Sequence, residues 1–407
     1  MSSTQTWSPV QRHVVIASFL GWMLDAFDFF LVVFVFKRIA GDFGTDVKNV
    51  TYALFLTLAM RPIGAFLFGR LADRYGRRPA LMASVLAYSI MEFASAFAPS
   101  LKVFLVLRAL YGIAMGGEWG VGASLAFESI PTRSRGVVSG LLQAGYPSGY
   151  LLAAIVYGLF IDQLGWRGMF MLGAAPALLL LYIRSKVPES EVWLSGAPSQ
   201  RKQSIWTGLS GHWGLALYAI LLMTAFNFFS HGTQDLYPHF LDVQRGFSSG
   251  TVARIAIVYN LGAIGGGVCF GALSSRIGRR RGIALAAGLS LLALPFWGFA
   301  LAPVPIAIAA FCMQFMVQGA WGIVPVHLNE LSPSGLRATF PGFVYQLGNL
   351  IASMNAPLQT TIAERHGSTA HPDFAFALTL VCSLVAVCLL VLALAGPERR
   401  DVRFDGQ

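Results

Sequence analysis

Apolar residues along this chain fall in blocks about 20 residues long, parted by short polar loops. A helix rising about 1.5 Å per residue crosses the hydrocarbon core of a bilayer in that length. A block such as "LTLVCSLVAVCLLVLALAG" has no period-two alternation, which excludes the short tilted strands of a membrane barrel. Spans are expected at 14–36, 49–69, 79–97, 102–125, 136–160 and 166–187, then at 213–238, 250–273, 281–301, 303–328, 338–362 and 373–396. The longest polar linker, "VPESEVWLSGAPSQRKQS", parts the sixth from the seventh. The pattern predicts an all-α membrane protein of twelve transmembrane helices. Residues 1–187 form an N-terminal six-helix bundle and 188–212 a cytoplasmic linker. Residues 213–407 form a C-terminal six-helix bundle with a short tail.

Composition agrees: 12% of residues are charged, against roughly 25% in soluble domains. The net charge of +10 would suggest a nucleic-acid partner in a soluble protein. Here its distribution explains it. An even number of spans puts both termini on one side, and that side holds 19 of the 29 Lys and Arg residues. The opposite loops hold seven, and Arg61, Arg108 and Arg254 fall within spans. Positive charge marks the cytoplasmic side, so both termini are expected there, in a bacterial inner membrane, with lipid and not nucleic acid as the partner. Cys269, Cys312, Cys382 and Cys388 lie in apolar blocks without metal-ligand spacing, so no metal or cofactor is expected.

The halves repeat at an offset of 202. "GRLADRYGRR" at 69–78 matches "GALSSRIGRR" at 271–280, and "GEWG" at 117–120 matches "GAWG" at 319–322. Glu128, Pro131 and Arg135 fall on Glu330, Pro333 and Arg337. Two parallel six-span repeats make two pseudo-symmetric bundles with a site between them near the midplane. With "ESIPTRSRG" (128–136) and "VPESEVW" (187–193), these loops resemble the signatures of the major facilitator superfamily, over nearly the whole chain. Ion pairs among Asp73, Arg74, Arg77, Glu128, Arg135, Glu330 and Arg337 suit gating of one face, and Gly69 permits close helix contact.

Polar residues at membrane depth are expensive and point to function. Asp25 and Asp28 lie halfway along the first span, Arg61 about twelve residues into the second, and Glu118 within the fourth. Asn227, His231 and Asp235 are spaced i, i+4, i+8 and share one stripe of the seventh helix, with Gln234 beside it. Gln346 lies in the eleventh. Asp25 and Asp28 correspond to Asn227 and Ser230, so facing walls of one cavity are polar at the same heights. Structural pairing of Arg61 with Asp25 or Asp28 is the alternative for single residues, but four acids and an arginine together exceed what pairing needs. Arg108, nearer the span end, reads as a structural arginine. Pro62 and Pro238 are expected to free the carbonyls of Leu58 and Gln234, lining the cavity or hinging the helix.

Arg61 presents a planar cationic fork that suits a carboxylate. Asn227 and Gln346 can bond a hydroxyl or keto oxygen, and Phe27, Phe29, Phe30, Trp119 and Tyr345 can wall in a small apolar remainder. The substrate expected is a small organic anion. His231 beside Asp235 makes a proton site, with Asp28, Asp25 and Glu118 as further proton carriers. Neither a Ser–His–Asp arrangement nor a zinc set emerges, so an enzyme is not expected.

"N-x-x-S-H-x-T-Q-D", formed by Asn227, Ser230, His231, Thr233, Gln234 and Asp235, resembles the seventh-span signature of the lactate/pyruvate–proton symporters of the sialate:proton symporter family. "GWMLDAFDFFLVVFV", "LAMRPIGA", "GGEWGVGASL" and "VYQLGNL" are similar to that family too. The chain departs at His239, where the family has Thr. The resemblance implies substrate contact by Arg61 and Gln346, and transport and proton coupling through Asn227, His231 and Asp235. It also implies proton-coupled symport of short monocarboxylates by alternating access, with a proton as coupling ion and a monomer sufficient. A symporter for sialate or for an aromatic or dicarboxylic acid is the alternative within the class. A non-transporting sensor and a passive channel are alternatives outside it.

Overall fold

The computed structural model describes residues 7–196, 205–400 and 402–404; Arg201 and Lys202 of the expected linker lie outside them. Among the described residues the chain is helical and makes twelve crossings. Six are single helices: Pro9–Asp42, Val47–Tyr75 and Arg77–Ser95 open the chain, and Ser249–Ile277 and Arg279–Phe299 are the eighth and ninth. Phe374–Ala395 closes the set as the twelfth, also unbroken. The fourth is split into Leu101–Gly116 and Glu118–Ser129. The fifth and sixth run through Arg135–Leu172 and Ala177–Lys186, with Gly165 at φ +62° marking the corner between them. The seventh is Trp213–Gln234 with Tyr237–Val243, the tenth Pro303–Trp321 with Val324–Leu331, and the eleventh Thr339–Ala352 with Asn355–His366.

Eight stretches are long and apolar enough to cross a membrane on length and composition alone, and they contain nine of the twelve crossings. The third, fourth and eleventh do not qualify. The fourth and eleventh are broken in the middle, and the third carries Arg77, Arg78 and Glu92. A periodicity-led reading finds them because their polar residues point inward.

Pro238 corrects an expectation. It lies in the first turn of Tyr237–Val243, where a missing N–H costs nothing, so it starts a helix instead of kinking one. Pro62 does stand inside an unbroken helix.

Both ends of the described chain lie on one face, called here the terminal face. Trp7 donates to Ser134 Oγ at 3.2 Å, and Arg135 donates to the Val402 carbonyl at 2.7 Å. Two seams join the bundles near that face, the second span against the eleventh and the fifth against the eighth. Gly69 lies against the Thr339 backbone, and its repeat partner Gly271 lies against Gly136 and Gly140, where any side chain would collide. Small residues let the backbones touch, which drives helix association where no hydrophobic effect acts between spans.

Candidate functional site

Above the seams, side chains from both bundles converge. Arg61 is 3% exposed on the second span. Its Nη2 lies 2.7 Å from Met115 Sδ and 3.9 Å from Asp25 Oδ2, and the guanidinium faces the Phe29 ring at 5.1 Å. A thioether is a weak acceptor and 3.9 Å is a loose ion pair, so the fork is held in place without being saturated. Close backbone contact builds the perch: Gly116 of the fourth span sits against the Arg61 carbonyl, where a Cβ would collide.

Across from it His231 is held at both ring nitrogens. Nδ1 lies 3.1 Å from Asp235 Oδ2, and Nε2 lies 2.9 Å from Asn349 Oδ1 of the eleventh span. Oxygen acceptors on both sides suit an imidazolium that donates twice. The sequence reading omitted Asn349. It stands three residues beyond Gln346 in "VYQLGNL", hence on the same helix face, and that spacing was the available signal. Asp235 and His231 keep side-chain exposures of 41% and 27%, far above those of Arg61 and Asp25. The Arg61 guanidinium is within electrostatic range of His231, Tyr146 and Tyr345, which sets these groups around one space.

The remaining candidates are placed as follows. Asn227 is buried and donates to the Met223 carbonyl of its own helix at 2.7 Å. Gln346 is buried with Oε1 unpartnered. Gln234 belongs to an amide chain: its Nε2 donates to Gln314 Oε1 at 2.9 Å, and Gln314 Nε2 donates to Thr233 Oγ1 at 2.9 Å. Trp119 and Tyr345 pack at 4.7 Å between ring centroids, and Trp321 joins Tyr345 at 5.5 Å from the other bundle's repeat of the same motif. Trp22 lies at 6.4 Å from Tyr345. These rings floor the space toward the terminal face. Phe29 serves the site, whereas Phe27 turns into a separate core with Phe104, Trp166 and Phe170.

Asp28 and Glu118 are fully buried, and neither carboxyl has a hydrogen-bond partner among the described residues. Glu118 fits only because Gly21 has no side chain to meet its Oε1, and it borders a cavity of about 10 Å³ beside Ser18 and Trp22, room for a single water. Sequence reading missed Glu92. It is fully buried and pairs with Arg108 at 2.6 Å, and both Glu92 Oε1 and Asp28 Oδ1 border Gly173. Its position inside the third span was the signal. Arg108 is therefore structural in the sense expected, but its partner is an acid that adjoins Asp28.

The loop residues sort into two groups. Arg77 binds Glu128 at 2.8 Å and Asp73 at 3.1 Å, and Glu128 also accepts from Ser190 Oγ at 2.5 Å. Arg279 binds Glu330 at 3.0 Å in the same manner. Asp73 reaches across the seam to the start of the eleventh span and accepts from Ala338 N at 3.0 Å, Thr339 N at 3.1 Å and Thr339 Oγ1 at 2.5 Å. Arg135 and Arg337 meet the C-terminal tail, donating to the Val402 and Phe404 carbonyls. Arg74 is a correction: it is exposed beside Tyr75 and forms no ion pair among the described residues. Among the described residues, every hydrogen bond between the bundles lies on the terminal side of the site.

A family model described as Major Facilitator Superfamily matches residues 18–357. The chain is 29% identical over 415 residues to a carboxylic acid transporter protein homolog of Saccharomyces cerevisiae, covering 94% of this chain and 67% of that one. It is 27% identical to the sialic acid transporter NanX of Escherichia coli, covering 96% and 94%. A solved structure of the proton:xylose symporter XylE bound to 6-bromo-6-deoxy-D-glucose superposes with a TM-score of 0.75 at 18% identity, over 96% of each chain, a likeness of fold.

Proposed function

The chain belongs to the Major Facilitator Superfamily, and from that premise we propose that it is a proton-coupled symporter of short monocarboxylates, lactate or pyruvate first. It is a multi-pass membrane transporter and not an enzyme. Arg61 carries the reading: a buried cation whose fork is held only by a thioether and a loose carboxylate contact, which leaves it free to pair with one incoming carboxylate. The relatives named for carboxylic acids and for sialic acid support an acid as substrate. The 19 basic residues that the sequence assigns to the side of the termini support a cytoplasmic placement of that face. The site then faces outward, with the aromatic floor and both seams closed beneath it.

In the proposed cycle the carboxylate binds Arg61 in place of the loose Asp25 contact, while His231, Asp235 and Asn349 hold the proton. Gln346 and Asn227 orient the rest of the anion. Each ligand stabilises the same occluded state, and that shared preference couples them. The bundles then rock, the terminal face opens, and both are released.

Proteoliposomes carrying the protein test this. Lactate added outside should raise the external pH while radiolabelled lactate accumulates under an inward proton gradient. Uptake without a pH change would sink the coupling. A response only to sialate or to an aromatic or dicarboxylic acid would keep the mechanism and replace the substrate.

A further inference from the structure

The notch between the bundles on the terminal face is filled by the chain's own tail. Beyond the twelfth span, Glu398 accepts from Arg279 N at 3.3 Å and Arg280 N at 3.1 Å, capping the ninth. Arg400 donates to the Arg276 carbonyl at 2.9 Å. The tail then reaches the other bundle. Arg135 donates to the Val402 carbonyl at 2.7 Å and lies over the Phe404 ring at 3.7 Å. Arg337 donates to the Phe404 carbonyl at 2.7 Å and faces the same ring at 4.5 Å. Phe404 is 5% exposed although it lies within four residues of the chain end.

Arg135 opens the fifth span and Arg337 precedes the eleventh, so the two cations belong to different bundles and are partners in the repeat. A single ring bridges them. Cavities of about 450 Å³, bordered by Glu128, Glu191 and Arg403, and about 310 Å³, bordered by Glu330 and Arg399, open on either side of the tail. The tail thus runs as a bar between these two cavities. Neither the glycine seams nor the Asp73 contact needs it for packing.

We propose that the notch between Arg135 and Arg337 is a receptor for the chain's own Phe404, and that residues 402–404 latch the terminal face shut. The inference rests on the alternating-access reading above. Rocking the bundles apart separates Arg135 from Arg337, and one aromatic ring cannot stay within reach of both. Undocking of the tail therefore precedes opening of that face. The ring is suited to the task because its face attracts both guanidinium groups, whereas an aliphatic side chain of equal bulk would only fill space.

Hydrogen exchange of the full-length protein in bilayer discs reads the latch without any substrate, so its failure and that of the monocarboxylate reading are separable. The reporters are the Ala338 and Thr339 amides, which Asp73 protects only while the seam is closed. Phe404→Ala, and a chain ending at Arg400, should exchange there about five- to thirtyfold faster, as expected for losing two cation–ring contacts. Peptides at the far face, around Asp42 and Arg167, should not change. Phe404→Trp should keep protection and Phe404→Leu should lose it. Equal exchange in all variants would overturn the latch, and protection retained by Phe404→Leu would overturn the cation–ring mechanism. Unchanged Tm in Phe404→Leu guards against a folding artefact.

Discussion

At the offset of 202 residues, Arg77 and Glu128 of the first half fall on Arg279 and Glu330 of the second, and both pairs are buried, at 2.8 and 3.0 Å. Trp119 falls on Trp321, and both rings rest on Tyr345. Away from these frame residues and the Arg135–Arg337 pair, the correspondence fails where charge is buried. Asp25, Asp28, Arg61, Glu92, Arg108 and Glu118 fall on Asn227, Ser230, Ala263, Leu294, Ala310 and Ala320. In the other direction His231 and Asp235 fall on Phe29 and Val33. Each half therefore shows that the scaffold closes without the other's charges. A charge at bilayer depth costs about 2.5–3.5 kcal/mol on insertion scales, so charges kept in one half alone are poorly explained by folding. The shared frame supplies the rocking motion, and the divergence marks the chemistry.

The largest effect expected from this comparison is on stability. Glu92→Gln leaves Arg108 buried without its counter-ion and should cost about 3–5 kcal/mol, seen as a fall in Tm. Glu92→Leu with Arg108→Ala rewrites the pair as its counterpart, Leu294 and Ala310. That double variant should recover most of the loss. If it stays as unstable as Glu92→Gln, the pair is a requirement of the first half's packing and the comparison breaks there.

Next comes the substrate cation. Arg61→Ala copies Ala263, and Arg61→Lys keeps the charge but loses the fork. Removing one partner of a buried charged contact costs about 2–5 kcal/mol, so initial lactate uptake should fall at least about 30-fold in both. Uptake by Arg61→Lys equal to that of the unaltered protein would remove the bidentate role. Folding should be little affected, because the Asp25 contact is loose at 3.9 Å.

His231→Ala and Asp235→Asn should act on coupling more than on binding. Uphill accumulation under a proton gradient should vanish, while exchange of labelled for unlabelled lactate at equal pH persists within about tenfold. If both variants still concentrate lactate, the proton resides with the unpartnered carboxyls of the first half, Asp28 and Glu118.

The frame was legible in the sequence because periodicity and repetition are properties of backbone packing. Block length gave the twelve crossings, and the 202-residue offset gave the paired seams. Single site residues were legible where a charge interrupted an apolar block, as for Arg61, Glu118 and Asp235. What escaped was partnership. Nothing in one helix says that Asn349 faces His231, since the contact depends on how the seventh and eleventh spans are rotated. Arg135 and Arg337 were read as gating through acids; their contacts with the C-terminal tail at Val402 and Phe404 depend on where the tail lies and leave no mark in the spacing. Glu92 escaped because it is the lone acid of its span, set among uncharged inner-face residues such as Ser84, Tyr88, Ser89 and Ser95 that do not mark a charge site by themselves.

The smallest effect concerns the seams. Asp73 caps the eleventh span from the other bundle with three hydrogen bonds, while the hydroxyl of its counterpart Ser275 accepts from Arg279 of its own bundle, at 3.3 Å. A carboxylate at a helix N-terminus contributes about 0.5–2 kcal/mol through the orphan N–H groups and the dipole. Asp73→Ser makes the two seams alike and should raise exchange of the Ala338 and Thr339 amides about two- to thirtyfold. The converse, Ser275→Asp, has no room: the Ser275 hydroxyl already crowds Gly136, where any Cβ would collide. It should loosen the fifth–eighth seam instead of locking it. Should Asp73→Ser leave exchange unchanged, glycine packing alone holds both seams. The asymmetry between the halves would then be confined to the cavity, with the terminal face closed by symmetric contact and by the tail.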